Sequence, residues 1–444
     1  MNQRQLSHLS EGPDSVCADW QQIMSSKAFP QGCFDNLECL VIPKLMSKSD
    51  DLHGYNRILR CAKRLRILSI CRVEFEDETT EAEQDDDVNE DGLIVRTLFE
   101  HVPPHGDGSR LELSRFSIWG LDMTHSDQTW EQVIEFSKLT KLEVKYCADS
   151  SSLLKSLTTV FSKEGAALRN FSYWGDELEN SVIQNFLRSL TGLCSLSLSY
   201  FESESDDQSG IDHSFDMSCL KQHGPTLRQL GIALSERAPR FQPPPVLSAE
   251  VDLLLQNCRQ LRELALGLPS VHMTNGVNGN LGDFGASIRK LCEMPQIKAL
   301  QISNWPIPPA GTYVNIAEEV AEPEEDSDQI VAMTAKHMQR VAQVDTVSYL
   351  KQLDSVASAV FQFIGLQLGK TAPSMLPMLC FGRKEPAYVF EESSNRRHQL
   401  GQVYYVPTLQ YDQFGRSKFV AVRISRSMAE ECLLWDNGDV IGSL

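Results

Sequence analysis

Apolar residues return along the chain at positions 1, 4 and 6 of a short phrase, with polar or small residues between them. The phrase occurs nine times: LECLVI from Leu37, LRILSI from Leu65, LSRFSI from Leu113, LTKLEV from Leu139, LRNFSY from Leu168, LCSLSL from Leu193, LRQLGI from Leu227, LRELAL from Leu261 and IKALQI from Ile297. Successive first positions are 25 to 36 residues apart, except for one step of 48. Alternation predicts a strand in each phrase, with positions 1, 4 and 6 facing a core and positions 3, 5 and 7 facing the other way. Between the strands, WEQVIEFSK (130–138), SLLKSLTTVFSK (152–163), ENSVIQNFLRSL (179–190) and SAEVDLLLQNC (248–258) space their apolar residues three and four apart, which predicts helices. One strand and one helix cannot bury their apolar sides alone, so the units are expected to stack into one continuous core.

A strand-then-helix unit of this period with an L-x-x-L-x-L phrase carries the signature of leucine-rich repeats. The expected fold class is therefore α/β: a leucine-rich-repeat solenoid of about nine repeats over 31–310, with a curved parallel sheet and helices on the convex side. CAKRLRILSIC (61–71), NCRQLRELALG (257–267) and LTKLEVKYC (139–147) resemble the cysteine-containing repeats common in F-box proteins. Ahead of them, SVCADWQQIMSSKAF (15–29) predicts a helix with Val16, Trp20, Ile23 and Met24 along one side, and its V-C-x-x-W phrase resembles the last helix of an F-box. That resemblance implies a Skp-type adaptor of a cullin-based ubiquitin ligase, held through Val16, Cys17 and Trp20. The same segment, 1–30, also reads as a cap on the open end of the repeats.

The cadence stops at NWPIPPAGTY after Ile302, and 311–345 is expected to be an acidic linker with a helical stretch, DQIVAMTAKHMQRVAQV (328–344). SYLKQLDSVASAVFQFIGLQLG (348–369) predicts a further helix, with Gly369 as its C-cap. The runs MLPMLCFG, AYVFEE, QVYYVPTLQY and KFVAVRISR predict strands, the last two joined by a DQFGR turn. A separate small α+β unit over 346–444 is the expectation.

Charge refines this picture. The 444 residues carry a net charge of -19, yet 23 of the 60 acids lie in three stretches without Lys or Arg: 74–91, 202–212 and 318–328. The rest has a slight basic excess, so the acidity belongs to connections, and neither nucleic acid nor an anionic membrane is an expected partner. The twelve cysteines include no C-x-x-C pair, and the first thirty residues lack the apolar core of a signal peptide. VASAVFQFIGLQL (356–368) is too short to span a bilayer. A reduced, cytoplasmic or nuclear protein is expected.

Catalytic motifs fail on inspection. GLQLGKT (365–371) has three residues between its glycines where a phosphate loop needs four, and it closes a helix instead of opening one. DFG (283–285) lacks the companion kinase motifs and falls in a connection expected to be a flexible loop. His101 and His105 lack a third ligand at metal spacing. The expectation is a non-catalytic interaction module without cofactor or metal. By the resemblance it is the substrate-recognition subunit of an F-box-type ubiquitin ligase; the alternative is a scaffold with no ubiquitin link. Its partner is expected on the outward sheet positions, at Arg115, Trp119, Lys141, Lys145 and Trp174, with Tyr146, Tyr200 and Trp305 just beyond, because Trp, Tyr and Arg dominate interface energetics. Trp119 and Trp174 could equally fold down over the strand ends.

Overall fold

The computed structural model describes residues 8–10, 34–42, 45, 49–72, 93–100, 102, 110–124, 127–178, 180–202, 215–235, 246, 248–307, 314–316, 346–367, 369, 376–382, 387–391, 396–400 and 402–433. The helices expected at 15–29 and 328–344 fall outside them. The chain divides into two compact units, Met1–Cys194 with Tyr200–His223, and Ser195–Ser199 with Gly224–Leu444.

In the first unit β1 (His8–Ser10), β2 (Cys39–Ile42), β3 (Ile67–Cys71), β4 (Arg115–Trp119), β5 (Lys141–Lys145) and β6 (Asn170–Leu178) pair in chain order, every pair parallel. Helices Ser49–Cys61, Leu93–Phe99, Asp127–Val133 and Ser150–Glu164 alternate with strands β2 to β6, and Asn180–Ser189 follows. Each of β2 to β6 starts two residues after the first apolar residue of its phrase. One backbone bond repeats at every step: the N–H of the second phrase residue donates to the carbonyl of its counterpart one repeat back. Arg66 reaches Glu38, Ser114 reaches Arg66, Thr140 reaches Ser114, Arg169 reaches Thr140 and Cys194 reaches Arg169, at 2.7 to 2.9 Å. That bond fixes the register, and the register sends the same phrase positions inward each time.

Leu40, Ile42, Leu68, Ile70, Phe116, Ile118, Leu142, Val144, Phe171 and Tyr173 are accordingly buried. Each such side chain contributes about 1.5–3 kcal/mol by leaving water. Aromatic rings tie them to the helices: Trp130 lies 5.1 Å from Phe99 and 5.5 Å from Phe116, and Phe171 lies 4.7 Å from Phe186. The buried Asn56 Nδ2 donates to the carbonyls of Leu98 and Glu100, satisfying acceptors at a helix end. The helix expected over 130–138 stops at Val133. There the Leu111 N–H takes the Val133 carbonyl and the Glu135 N–H takes the Leu111 carbonyl, which pulls Ile134 into a bridge with Leu111.

The second unit continues the alternation. Residues 195–199 of β7 (Ser195–Glu202) neighbour β8 (Gln229–Ser235), followed by β9 (Glu263–Leu266) and β10 (Ala299–Ile302), with β8, β9 and β10 parallel. The same bond joins Arg262 to Arg228 and Lys298 to Arg262. β11 (Val314–Ile316) belongs to a separate antiparallel sheet with β13 (Ala387–Glu391) and β14 (Arg396–Leu400). β12 (Met378–Phe381) pairs parallel to β10, β15 (Val403–Tyr411) antiparallel to β12, and β16 (Ser417–Ile424) antiparallel to β15.

The described parts of 346–444 fall within the second unit: β12 extends the parallel ladder, and helix Thr346–Gln367 packs on helices Met273–Val277 and Gly282–Leu291. The DFG sequence lies inside helix Gly282–Leu291, because Phe284, Ile288 and Leu291, spaced four and three apart, are all buried. Most outward sheet positions of this unit are buried too: Ser195, Ser197, Ala233, Glu263, Ala265, Ala299, Gln301 and Ser303 are all at most 7% exposed. A parallel sheet covered on both faces favours small or apolar residues on both, as the Ser and Ala positions are, while the two larger polar ones are hydrogen-bonded: Gln229 Nε2 donates to Glu263 at 3.1 Å and Gln301 Nε2 donates to the Gly382 carbonyl at 2.8 Å.

Helix Thr346–Gln367 is held against β15 and β16 by polar contacts. The Asp354 carboxylate accepts from Arg423 at 2.7 and 2.8 Å and from the Tyr405 hydroxyl at 2.9 Å. Ser358 Oγ accepts the Ala421 N–H at 3.0 Å and donates to the Asp354 carbonyl at 2.8 Å, which covers an otherwise open N–H of the edge strand β16.

Candidate functional site

The outward positions of β3 to β6 form three rows in strict register. Ile67, Arg115, Lys141 and Asn170 make the first, Ser69, Ser117, Glu143 and Ser172 the second, and Cys71, Trp119, Lys145 and Trp174 the third. Arg115, Trp119, Lys141, Lys145 and Trp174 are therefore brought together on one sheet face. Trp119 is 44% exposed, whereas Trp174 is 7% exposed with the Lys145 ammonium 5.4 Å from its ring centroid. Of the two tryptophans, one faces solvent and the other packs locally.

The third row ends at a strained turn. Gly120 follows β4 with φ 70°, and Tyr146 follows β5 with φ 50°. A tyrosine in the left-handed region is a steric outlier, of the kind that gathers at functional sites. The Tyr146 ring sits 6.2 Å from Trp119 and 6.3 Å from Trp174, and it is 40% exposed. Sequence reasoning placed Tyr146 only at the margin of the site. The signal was present: repeats that read SIWG (117–120) and SYWG (172–175) flank one that reads EVKY (143–146), so an aromatic stands where its neighbours have glycine.

Charge on the rows is uneven. Lys141 Nζ lies 3.2 Å from Glu143 Oε1. Burial pushes the Glu143 carboxyl up, but Lys141, Lys145 and a hydrogen bond from Ser117 outweigh it, so the group ends below the ordinary carboxylate range and stays ionised at neutral pH. Arg115 is exposed and makes no ion pair among the described residues. Burial raises the Cys71 thiol, with Lys145 opposing, so it remains protonated beside the tryptophan row.

The remaining expected residues lie elsewhere. Trp305 is not a surface anchor: it is 3% exposed, its ring is 6.2 Å from Tyr349, and it lies flush against Gly382, whose φ of 92° and missing Cβ make the room. The backbone of Tyr200 lies in β7. Val16, Cys17, Trp20, His101 and His105 are outside the described residues.

The second unit has a cleft of about 580 Å³ between helix Thr346–Gln367 and β16, lined by Asn278, Ser355, Gln362, Phe363, Leu366 and Lys418 among others. Its Asp354 and Ser358 are engaged in the contacts that hold the helix to the hairpin. Among the described residues no three His, Cys, Asp or Glu side chains converge as a metal site would require, and no helix is long and apolar enough to cross a membrane. No protein-family model and no curated protein matches the sequence.

Proposed function

We propose that the chain is a non-catalytic protein-interaction module built on leucine-rich repeats, resembling the substrate-recognition subunits of F-box-type ubiquitin ligases, with its partner surface on the outward rows of β3 to β6. The single observation that carries this reading is the Trp119–Lys145–Trp174 row with the strained Tyr146 ring between the two tryptophans. Two exposed rings, Trp119 and Tyr146, backed by the buried Trp174 and set beside lysines on a rigid sheet have the make-up of an interface anchor, while most of the corresponding face of the second unit is buried. Buried, protonated thiols such as Cys147, pushed up to about 12 by burial, and Cys258, pushed up to about 11, act as small hydrophobes and support a cytoplasmic or nuclear setting.

Affinity purification of the full chain, followed by reconstitution of the recovered partner from purified components, tests this. Trp119→Ala should raise Kd at least about tenfold, the range of an anchoring aromatic, at an unchanged melting temperature. An unchanged Kd removes the patch from the reading. If a Skp-type adaptor co-purifies and is lost on deleting 1–30, the ligase role stands; if none does, the scaffold without a ubiquitin link replaces it.

A further inference from the structure

The unassigned features of the molecule are the cleft beside helix Thr346–Gln367, the exposed apolar side chains of the β15–β16 hairpin, the buried small-residue face of the second unit, and the charge pattern of the rows on β3 to β6. Only the last specifies a ligand. We propose that these rows take an extended acidic segment of a protein partner laid along the strand direction. Two negative side chains four residues apart meet Arg115 and Lys145, an uncharged or basic side chain between them meets Glu143, and an aromatic side chain beyond them meets Trp119 and Tyr146. The proposal rests on the interaction-module reading and names the partner's chemistry.

Charge spacing sets the first part. Lys141 and Glu143 pair with each other, which leaves Arg115 and Lys145 as the net positive charge of the face. These two lie on adjacent strands four residues apart along the strand direction, roughly 13 Å at about 3.3 Å per residue. An extended ligand running parallel to the strands spans the same distance between residues i and i+4, with both side chains on one face. The residue at i+2 faces the same way and comes opposite the middle row of Ser117, Glu143 and Ser172. With Glu143 ionised, a third acid there is repelled, so the surface selects acid at the ends and against acid in the centre.

The aromatic end sets the second part. Of the large apolar side chains exposed among the described residues of the first unit, Trp119 and Tyr146 are the two that touch, and both lie at the Lys145 end. A ligand ring two residues past i+4 reaches them on the same face. Within the rows themselves the balance is positive, with Arg115, Lys141 and Lys145 against Glu143.

The test uses the full chain and a labelled peptide Asp-Thr-Ser-Thr-Asp-Ser-Phe, with its reversed sequence as a second probe because charge spacing does not fix direction. One of the two should bind with Kd below about 1 mM in fluorescence anisotropy. Arg115→Glu and Lys145→Glu should each weaken it at least fivefold at an unchanged melting temperature, and replacing both Asp by Asn should abolish it. Replacing the central Ser by Asp should weaken binding to the wild type severalfold and much less to Glu143→Gln. Equal binding of the Asn peptide, indifference to both charge reversals, or no binding by either acidic probe overturns the proposal. Trp119-dependent binding of a neutral or basic peptide with the same Phe would overturn it while leaving the interaction module intact. The partner surface on these rows falls only if the reconstituted partner is also indifferent to Trp119→Ala.

Discussion

Gly120 and Tyr146 occupy the same place in successive repeats. Each follows the last residue of its strand with a positive φ, and each donates its N–H to the residue at position 7 of the next repeat, Gly120 to the Lys145 carbonyl at 2.9 Å and Tyr146 to the Trp174 carbonyl at 2.6 Å. Arg72 makes the same bond after β3, to the Trp119 carbonyl at 2.9 Å, without a positive φ, so the left-handed backbone belongs to these two repeats and is not required by the bond. One of the two has the residue that bears it without strain, and the other has a tyrosine there.

These two positions should respond differently to substitution. Gly120→Ala puts a Cβ into the Arg72 carbonyl at a φ that L-residues avoid, and should cost about 2 kcal/mol or more. Tyr146→Gly relieves about 1–2 kcal/mol of left-handed strain and gives up two half-exposed ring contacts worth about 0.5–1.5 kcal/mol each. Its net effect on stability should stay within about 1 kcal/mol of zero, while partner affinity falls. Urea unfolding of both variants decides the matter; a Tyr146→Gly loss as large as that of Gly120→Ala would make the tyrosine structural.

His223 should make the first unit sensitive to mild acid. It is fully buried, with Nδ1 accepting the Leu193 N–H at 3.3 Å, so Nε2 carries the proton and donates to the Leu187 carbonyl at 3.0 Å. Burial holds its pKa below the ordinary 6.5, with the Leu187 bond opposing. A histidine depressed in the folded state binds its proton more readily when unfolded, so stability is full above about pH 6.5 and declines as the pH falls below it. Glu143, lowered in the folded state, loses its contribution only below the ordinary carboxylate range, so the two effects occupy separate windows. Denaturant midpoints between pH 7.5 and 5.5 should fall in the wild type and flatten in His223→Gln; parallel slopes would clear His223.

How much was legible in the sequence follows from what each residue type encodes. Leu40, Leu142 and Leu264 announced their inward positions by spacing, because a strand's period of two is a local property. The DFG helix was not legible, since Gly282 and Gly285 look like loop residues until Leu281 and the Phe363 ring close on the space beside Gly285. The covered outward face of the second unit was hidden for the opposite reason: Ser197, Ala265 and Ser303 suit an exposed or a tightly covered surface equally. Of the candidate site, the pairing of Trp119 with Lys145 and Trp174 was readable from phrase alignment. The left-handed backbone of Tyr146 was not, because Arg72 makes the same inter-repeat bond with an ordinary φ and no phrase separates the two cases.

Trp305 and Trp119 give the sharpest test of the difference between a core and a surface tryptophan, because sequence pattern alone placed both on the partner face. Trp305 packs on Tyr349 and on the bare Cα of Gly382, so Trp305→Ala leaves a cavity where the surroundings cannot collapse and should cost about 3–5 kcal/mol. Trp119, 44% exposed at the end of β4, should cost less than about 1 kcal/mol on truncation. Binding should show the reverse order: strong loss in Trp119→Ala, and none in Trp305→Ala at temperatures where that variant stays folded. Thermal unfolding paired with the partner-binding assay checks both halves. A stable Trp305→Ala variant with lost binding would return Trp305 to the interface.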